Sequence, residues 1–256
     1  MSLPRIDTQI HATRYRADTP KEDVTVAACL QRCAEVGIEH AGIIEHLGNW
    51  RHPVECLEDL AAEFRALTPP IPASIGVEMR VMDTDGNLNG DQALLERIGL
   101  DFTLVESEEI PDAASGIDSV QGFIEFDHRC QMGAVLQNPW IDVVVHPWGT
   151  HRKRLRKLGY EGEWRFDMVP EAFLWEWVDA LADRDTACEV NSKNIPLFNH
   201  PTYNAFIERL ISRRIRIAIG SDSHDLSAIG TAAPIYDFLE SKGAPPDLIF
   251  RPPLPR

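Results

Sequence analysis

At 256 residues, 44% hydrophobic and 25% charged, the chain has the composition of a globular protein that can bury a sizeable core. Its formal net charge of -15 argues against a broad nucleic-acid surface, which needs a basic footprint, but leaves room for a small anionic substrate held by a few Arg or Lys residues. No run of about 18 apolar residues occurs and the N-terminal stretch lacks an apolar signal core, so a cytoplasmic protein with no membrane partner is expected. Cys29, Cys33, Cys56, Cys130 and Cys188 form no CxxC pair and are expected as reduced core thiols.

Residues 6–10 alternate and predict a first strand ending at His11, with Arg14 and Arg16 in the loop beyond. Thr19-Pro20-Lys21-Glu22 predicts a helix start, with Thr19 as N-cap and Pro20 in the first turn, and Gly37 as the stop. A second strand over 38–44 leads to Glu45-His46, and a helix follows over 54–67. Residues 71–81 contain a third strand with Glu78 near its end, and 83–90 are turn chemistry. A short helix over 92–98 precedes a fourth strand over 102–105, whose end is crowded by Glu106, Glu108 and Glu109.

A helix is predicted over 117–136, then a fifth strand over 141–145 that ends at His146-Pro147. The basic run 151–157 is expected as a solvated loop or helix face. Pro170 opens a helix, and a sixth strand over 187–190 leads to Asn191 and Lys193. A helix from about 202 to 212 precedes a seventh strand over 215–219, which stops at Gly220, where the backbone can turn freely, just before Asp222 and His224. A last helix over 235–239 and an extended proline-rich tail over 251–256 complete the chain.

Strand–helix alternation of this kind predicts an α/β fold with a parallel sheet, and seven units without a break favour a closed or nearly closed barrel in one domain spanning 1–256. The strand ends then carry His11, His46, Glu78, Glu108, His146, Asn191, and Asp222 with His224. A barrel gathers such ends into one bowl at its C-terminal face. Imidazoles mixed with carboxylates suit zinc, manganese or iron, and Glu78 can bridge two ions. His40, His128 and His200 fall within or beside predicted elements and are expected to be structural. Glu189 sits inside a strand, where it either faces the bowl or makes a buried polar bond.

Across nearly its whole length the chain resembles the PHP family, the polymerase and histidinol phosphatase domains. Asp7-Thr8-Gln9-Ile10-His11 resembles the opening Asp-x-His-x-His motif, and Ile44-Glu45-His46 the Thr-Asp-His motif. Gly76-Val77-Glu78 is similar to the Gly-x-Glu strand, with Asp85-Gly86 in the turn after it. Val145-His146-Pro147 resembles the His-Pro motif, and Cys188-Glu189-Val190-Asn191 the Glu-x-Asn strand. Gly220-Ser221-Asp222-Ser223-His224, followed by Ile229-Gly230, is the nearest match.

The resemblance implies a distorted, TIM-like seven-stranded (β/α) barrel with its metals at the C-terminal ends of the strands. It implies His11, His46, Glu78, Glu108, His146, Asp222 and His224 as ligands, with Glu106 the alternative to Glu108. Gln9 stands where the family's first His belongs, and Glu45 replaces an Asp. A further family His has no counterpart near Arg16 and Ala17, with His52 as its substitute from the next loop. These departures reduce the expected count to one or two divalent transition metal ions, against up to three in the family.

The implied function is hydrolysis of a small phosphate ester by a hydroxide formed on the ions. Asp222 or His224 would position that water or shuttle its proton. Arg14, Arg16, Lys193 and Arg152 are the candidates for gripping the phosphorylated substrate. The alternatives are an amidohydrolase-type metal enzyme acting on C–N or lactone bonds, or a non-catalytic PHP-like barrel with a depleted metal site.

Overall fold

The computed structural model describes residues 2–48, 53–107, 117–148, 155–156, 159–162 and 164–255. Seven parallel strands run in sequence order around one sheet. They are β1 (Ile6–His11), β2 (His40–His46), β3 (Ala73–Arg80), β4 (Phe102–Glu106), β5 (Val143–Val144), β6 (Ala187–Asn191) and β7 (Ile217–Gly220). Around them lie α1 (Val26–Glu35), α2 (Val54–Ala66), α3 (Gln92–Ile98), α4 (Val120–Gln137), α5 (Glu171–Arg184), α6 (Pro201–Ser212) and α7 (Ala233–Ser241).

The sheet curls into a nearly closed barrel. The seam between β7 and β1 is bridged just beyond Gly220: His11 N donates to Ser223 O at 2.9 Å and Ser223 N to Gln9 O at 3.3 Å. Ser221 N donates to the Asp7 carboxylate at 3.0 Å, so a buried side chain completes the ladder where the backbones diverge.

Three expected boundaries move, the first and last for a tertiary reason and the second for a local cap. The first helix begins at Val26, capped by the Thr25 hydroxyl, rather than at Pro20. Lys21 is drawn to Asp225 (2.6 Å) and to His224 O (3.0 Å), and Val24 O accepts from Arg14 N, which holds 20–24 off a helical path. Helix α4 starts at Val120 behind its Ser119 cap. Strand β5 shrinks to two residues because the Asp142 carboxylate accepts from Thr103 N (2.9 Å) and Oγ1 (3.0 Å), taking the place of a backbone rung.

Side chains alternate along a strand, so every second residue enters the barrel. Its lower part is filled by Ile44, Phe102, Leu104, Val143, Val145, Ala187, Ala218 and Phe250. Gly42 and Gly76 leave room for Phe102, whose ring a Cβ would meet at 2.8 and 2.7 Å. Phe250 comes from the tail: its N–H donates to Ile217 O at 2.8 Å, and Ser74 Oγ donates to Pro253 O at 2.7 Å, so the extended tail crosses the barrel floor. Outward-facing residues pack under the helices in a second, larger core. All five cysteines are free and buried. Among the described residues, no helix is long and apolar enough to cross a membrane.

Candidate metal centre

Above the apolar plug the inward positions turn polar. Gln9 and His11 come from β1, His46 from β2, Glu78 from β3, Glu106 from β4, and Glu189 and Asn191 from β6. The His11 ring stacks between His46 and His224, with centroids 4.6 and 4.2 Å away. His11 Nδ1 faces Glu45 Oε1 at 3.4 Å, while its Nε2 faces Glu78 Oε2 at 3.2 Å and Asp222 Oδ1 at 3.3 Å. Glu78 is the hub: His46 Nδ1 lies 3.5 Å from Oε2 and His146 Nε2 lies 3.3 Å from Oε1. His46 Nδ1 also stands 4.0 Å from Glu106 Oε1. His224 Nδ1 is held 3.0 Å from the Asp222 carbonyl.

Burial and neighbouring charge oppose each other here, and the outcome differs by residue. Burial raises the Glu78 carboxyl, but the imidazoles of His46, His11 and His146 outweigh it and hold the group well below the usual range. Against the pull of burial, Glu78 raises His146 to about 10. At His46 and His224 burial wins, lowering them to about 3 and about 4, so both rings stay neutral with lone pairs to offer. Burial lifts Glu189 to about 8 and Asp7 to about 6.

The backbone is strained at this end. His146 and Asp222 take φ of 30° and 51°, conformations that side chains other than glycine rarely adopt and that cluster at functional sites. The turn after β7 is therefore made at Asp222, not at Gly220. The glycine serves another purpose: a Cβ there would collide with Glu189 Oε1.

The donor set fits a metal ion. The nitrogens of His11, His46 and His224 lie within 4.8 Å of one another, as do the ligand atoms of His46, Glu78 and Glu106. His11 Nε2 and Glu78 Oε1 are buried and, among the described residues, have no hydrogen-bond partner. Glu78 Oε1 faces His146 Nε2 at 3.3 Å and His11 Nε2 faces Glu78 Oε2 at 3.2 Å, so nitrogen and oxygen atoms of the types that ligate transition metals meet in a buried site.

Of the sequence-predicted residues, His11, His46, Glu78, His146, Asp222 and His224 converge. Glu108, Arg152 and His52 lie outside the described residues; the β4 carboxylate at the centre is Glu106. Gln9 spans two neighbours, accepting from Asn191 Nδ2 at 2.8 Å and donating to Glu78 Oε2 at 3.2 Å. Arg16 pairs with Glu45 at 3.1 Å, and Lys193 Nζ pairs with Asp222 Oδ2. Arg14 pairs instead with Glu22 at 2.6 Å on the exposed surface. The 3₁₀ turn Thr13–Tyr15 separates the two arginines, because residues two apart on such a turn point to different sides.

Sequence reasoning gave Asp7 only as part of the opening motif, assigned no role to Arg80, and left Glu189 either facing the bowl or making a buried polar bond. Asp7 braces the seam. Arg80 Nε stands 3.6 Å from Glu106 Oε1, and Glu189 Oε2 accepts from His146 N at 2.7 Å and Asn191 Nδ2 at 3.2 Å. The signal for the latter two was strand parity: Arg80 is two residues past Glu78, and Glu189 two before Asn191. His40 and His128 make ordinary side-chain contacts elsewhere, with Ser74 Oγ at 2.9 Å and Glu176 at 3.0 Å.

No family model matches the chain, and no curated protein matches it. Among solved structures it is similar to a chain in the cryo-EM structure of archaeal ribonuclease P with mature tRNA, at 13% identity and a TM-score of 0.48, covering 95% of this chain and 85% of that one. It is also similar to the HMG-CoA lyase from Brucella melitensis, at 12% identity and a TM-score of 0.44, covering 92% and 78%.

Proposed function

We propose that the protein is a metal-dependent hydrolase of small phosphate esters. The observation that supports this most is the convergence of His11, His46, Glu78, Asp222 and His224 at the C-terminal end of the barrel, with Arg16 and Lys193 beside them. The motif-level resemblance to the PHP family points to the same substrate class. A bound divalent ion lowers the pKa of a coordinated water to about 7 and neutralises charge on phosphoryl oxygens.

The chain's own residues supply the rest. His46 would hold the ion together with His11 and His224, or with Glu78 and Glu106, and Asp222 Oδ1 stands beside Glu78 Oε2 at His11 Nε2. His224 is one-third exposed, and its Nδ1 is fixed by the Asp222 carbonyl, which orients the ring to exchange a proton with solvent or substrate. Arg16 and Lys193 offer charge-assisted hydrogen bonds to a phosphate. Glu189 holds the strained His146 backbone in place.

The test is phosphate release from a panel of small phosphate mono- and diesters with zinc or manganese, beside lactone and amide substrates. Asp222→Ala is expected to weaken metal retention and cut turnover by about 10³-fold, or roughly 4 kcal/mol of transition-state stabilisation. Turnover of lactones or amides without phosphate release would reassign the enzyme to C–N or lactone chemistry. Failure to retain any metal would leave a non-catalytic barrel.

A further inference from the structure

Asn89, in the turn that follows β3, ties two strand ends together. Its Oδ1 accepts from Arg80 N at 2.8 Å, and its own N donates to Arg80 O at 3.1 Å, so both backbone groups of the residue that ends β3 close on it. Its Nδ2 donates to Leu47 O, one residue past His46 and the end of β2. Gly48 takes a φ of 109° beside this bond, and a Cβ there would collide with the Asn89 amide. The end of β4 is reached in turn through Arg80. That residue is the register partner of Glu106 and holds its Nε 3.6 Å from Glu106 Oε1.

We infer that Asn89 is a positioning residue for the metal centre: it sets the spacing of the β2 and β3 ends, and through Arg80 that of β4, on which His46, Glu78 and Glu106 stand. This rests on the metal-centre reading above. The three residues offer ligand atoms within 4.8 Å of one another. Side chains from three separate strands keep such a spacing only if the strand ends keep theirs. The β2–β3 ladder places His46 beside Glu78, and its last rung is Leu47 N donating to Glu78 O at 3.0 Å. Just beyond that rung, the Asn89 amide spans Leu47 O and Arg80 N. An amide suits this place because it is donor and acceptor at once, one end for a carbonyl and the other for an N–H. Asn87 offers a comparison within the same turn. Its Nδ2 donates to Asp83 Oδ2 at 2.7 Å and its N to Asp83 Oδ1 at 3.1 Å, so it braces the turn from within.

The experiment is calorimetric titration of the chelator-treated full chain with manganese or zinc, beside thermal melts of the metal-free proteins. Asn89→Ala removes both side-chain bonds. Asn89→Asp keeps the shape and the acceptor for Arg80 N but turns a carboxylate oxygen towards the Leu47 carbonyl, so the test holds even if Asn89→Ala does not fold. Each is expected to weaken metal binding by about tenfold, the effect of losing a group that orients ligands without touching the ion. Asn87→Ala should lower the Tm of the metal-free protein yet bind metal as the wild type does. Equal weakening in Asn87→Ala would reduce the effect to the stability of the turn and overturn the positioning role. An Asn89→Asp variant that binds like the wild type would overturn it too, and both results leave the hydrolase reading standing. No binding by the wild type overturns the hydrolase reading itself, and the role of Asn89 with it.

Discussion

Gly220 shows how much one missing methyl group decides. The Glu189 carboxylate occupies the space where its Cβ would be and is pinned there by His146 N and Asn191 Nδ2. Alanine at 220 must push that carboxylate away, and with it the backbone that carries His146. Gly220→Ala should therefore destabilise the fold by about 2 kcal/mol, the usual cost of overpacking a tight core. In Glu189→Ala the obstacle is gone, so the double variant should lose clearly less than the sum of the two single losses. Denaturant melts of the three variants decide it; simple additivity would mean that the clash is not what the glycine avoids. The glycine read as a turn from sequence because it ends an apolar run. The atom it makes way for belongs to a different strand, and no local pattern carries that information.

Among the elements, the entry to α1 is the sharpest test of why some boundaries were legible and others not. Thr19-Pro20 and Thr25 are both chemically sound starts, and only tertiary contacts choose between them. Thr25→Ala should cost about 1 kcal/mol through its lost cap, whereas Thr19→Ala should stay within about 0.5 kcal/mol. Equal losses in thermal or chemical melts would show that 19–25 folds as part of the helix after all.

The order of strands and helices was readable because alternating and buried apolar runs are local signals. The residues on strand ends, such as His11, His46 and Glu78, were readable for the same reason. Strand parity left Glu106 and Glu108 as alternatives; Glu106, the last residue of β4, stands 4.0 Å from His46 Nδ1, and Glu108 lies outside the described residues. Nor could parity show that Arg16 turns inward to Glu45 while Arg14 turns outward to Glu22. That depends on a single 3₁₀ turn.

For the molecule as a whole, buried histidines contribute to the response to acid. Burial first, and the Arg251 charge second, lower His40 to about 4, from 6.5 in the unfolded chain. Between those values the unfolded chain binds the proton and the folded chain does not, so stability falls as the pH drops from about 6.5 towards 4. His40→Gln keeps a partner for Ser74 Oγ and removes the titration. It should flatten this part of the curve by roughly 2 kcal/mol between pH 7 and pH 4. Tm measured across that range checks it, and a variant that declines as steeply as the wild type would place the acid sensitivity elsewhere.

With four thiols fully enclosed and Cys56 8% exposed, the native protein is expected to react only slowly with maleimides. A cysteine placed at Ser227, exposed just past His224, would then be the preferred address for a dye or nitroxide. Because manganese is paramagnetic, such a label would report the ion's arrival and departure at the barrel mouth as a change in line width, with little background from the rest of the chain.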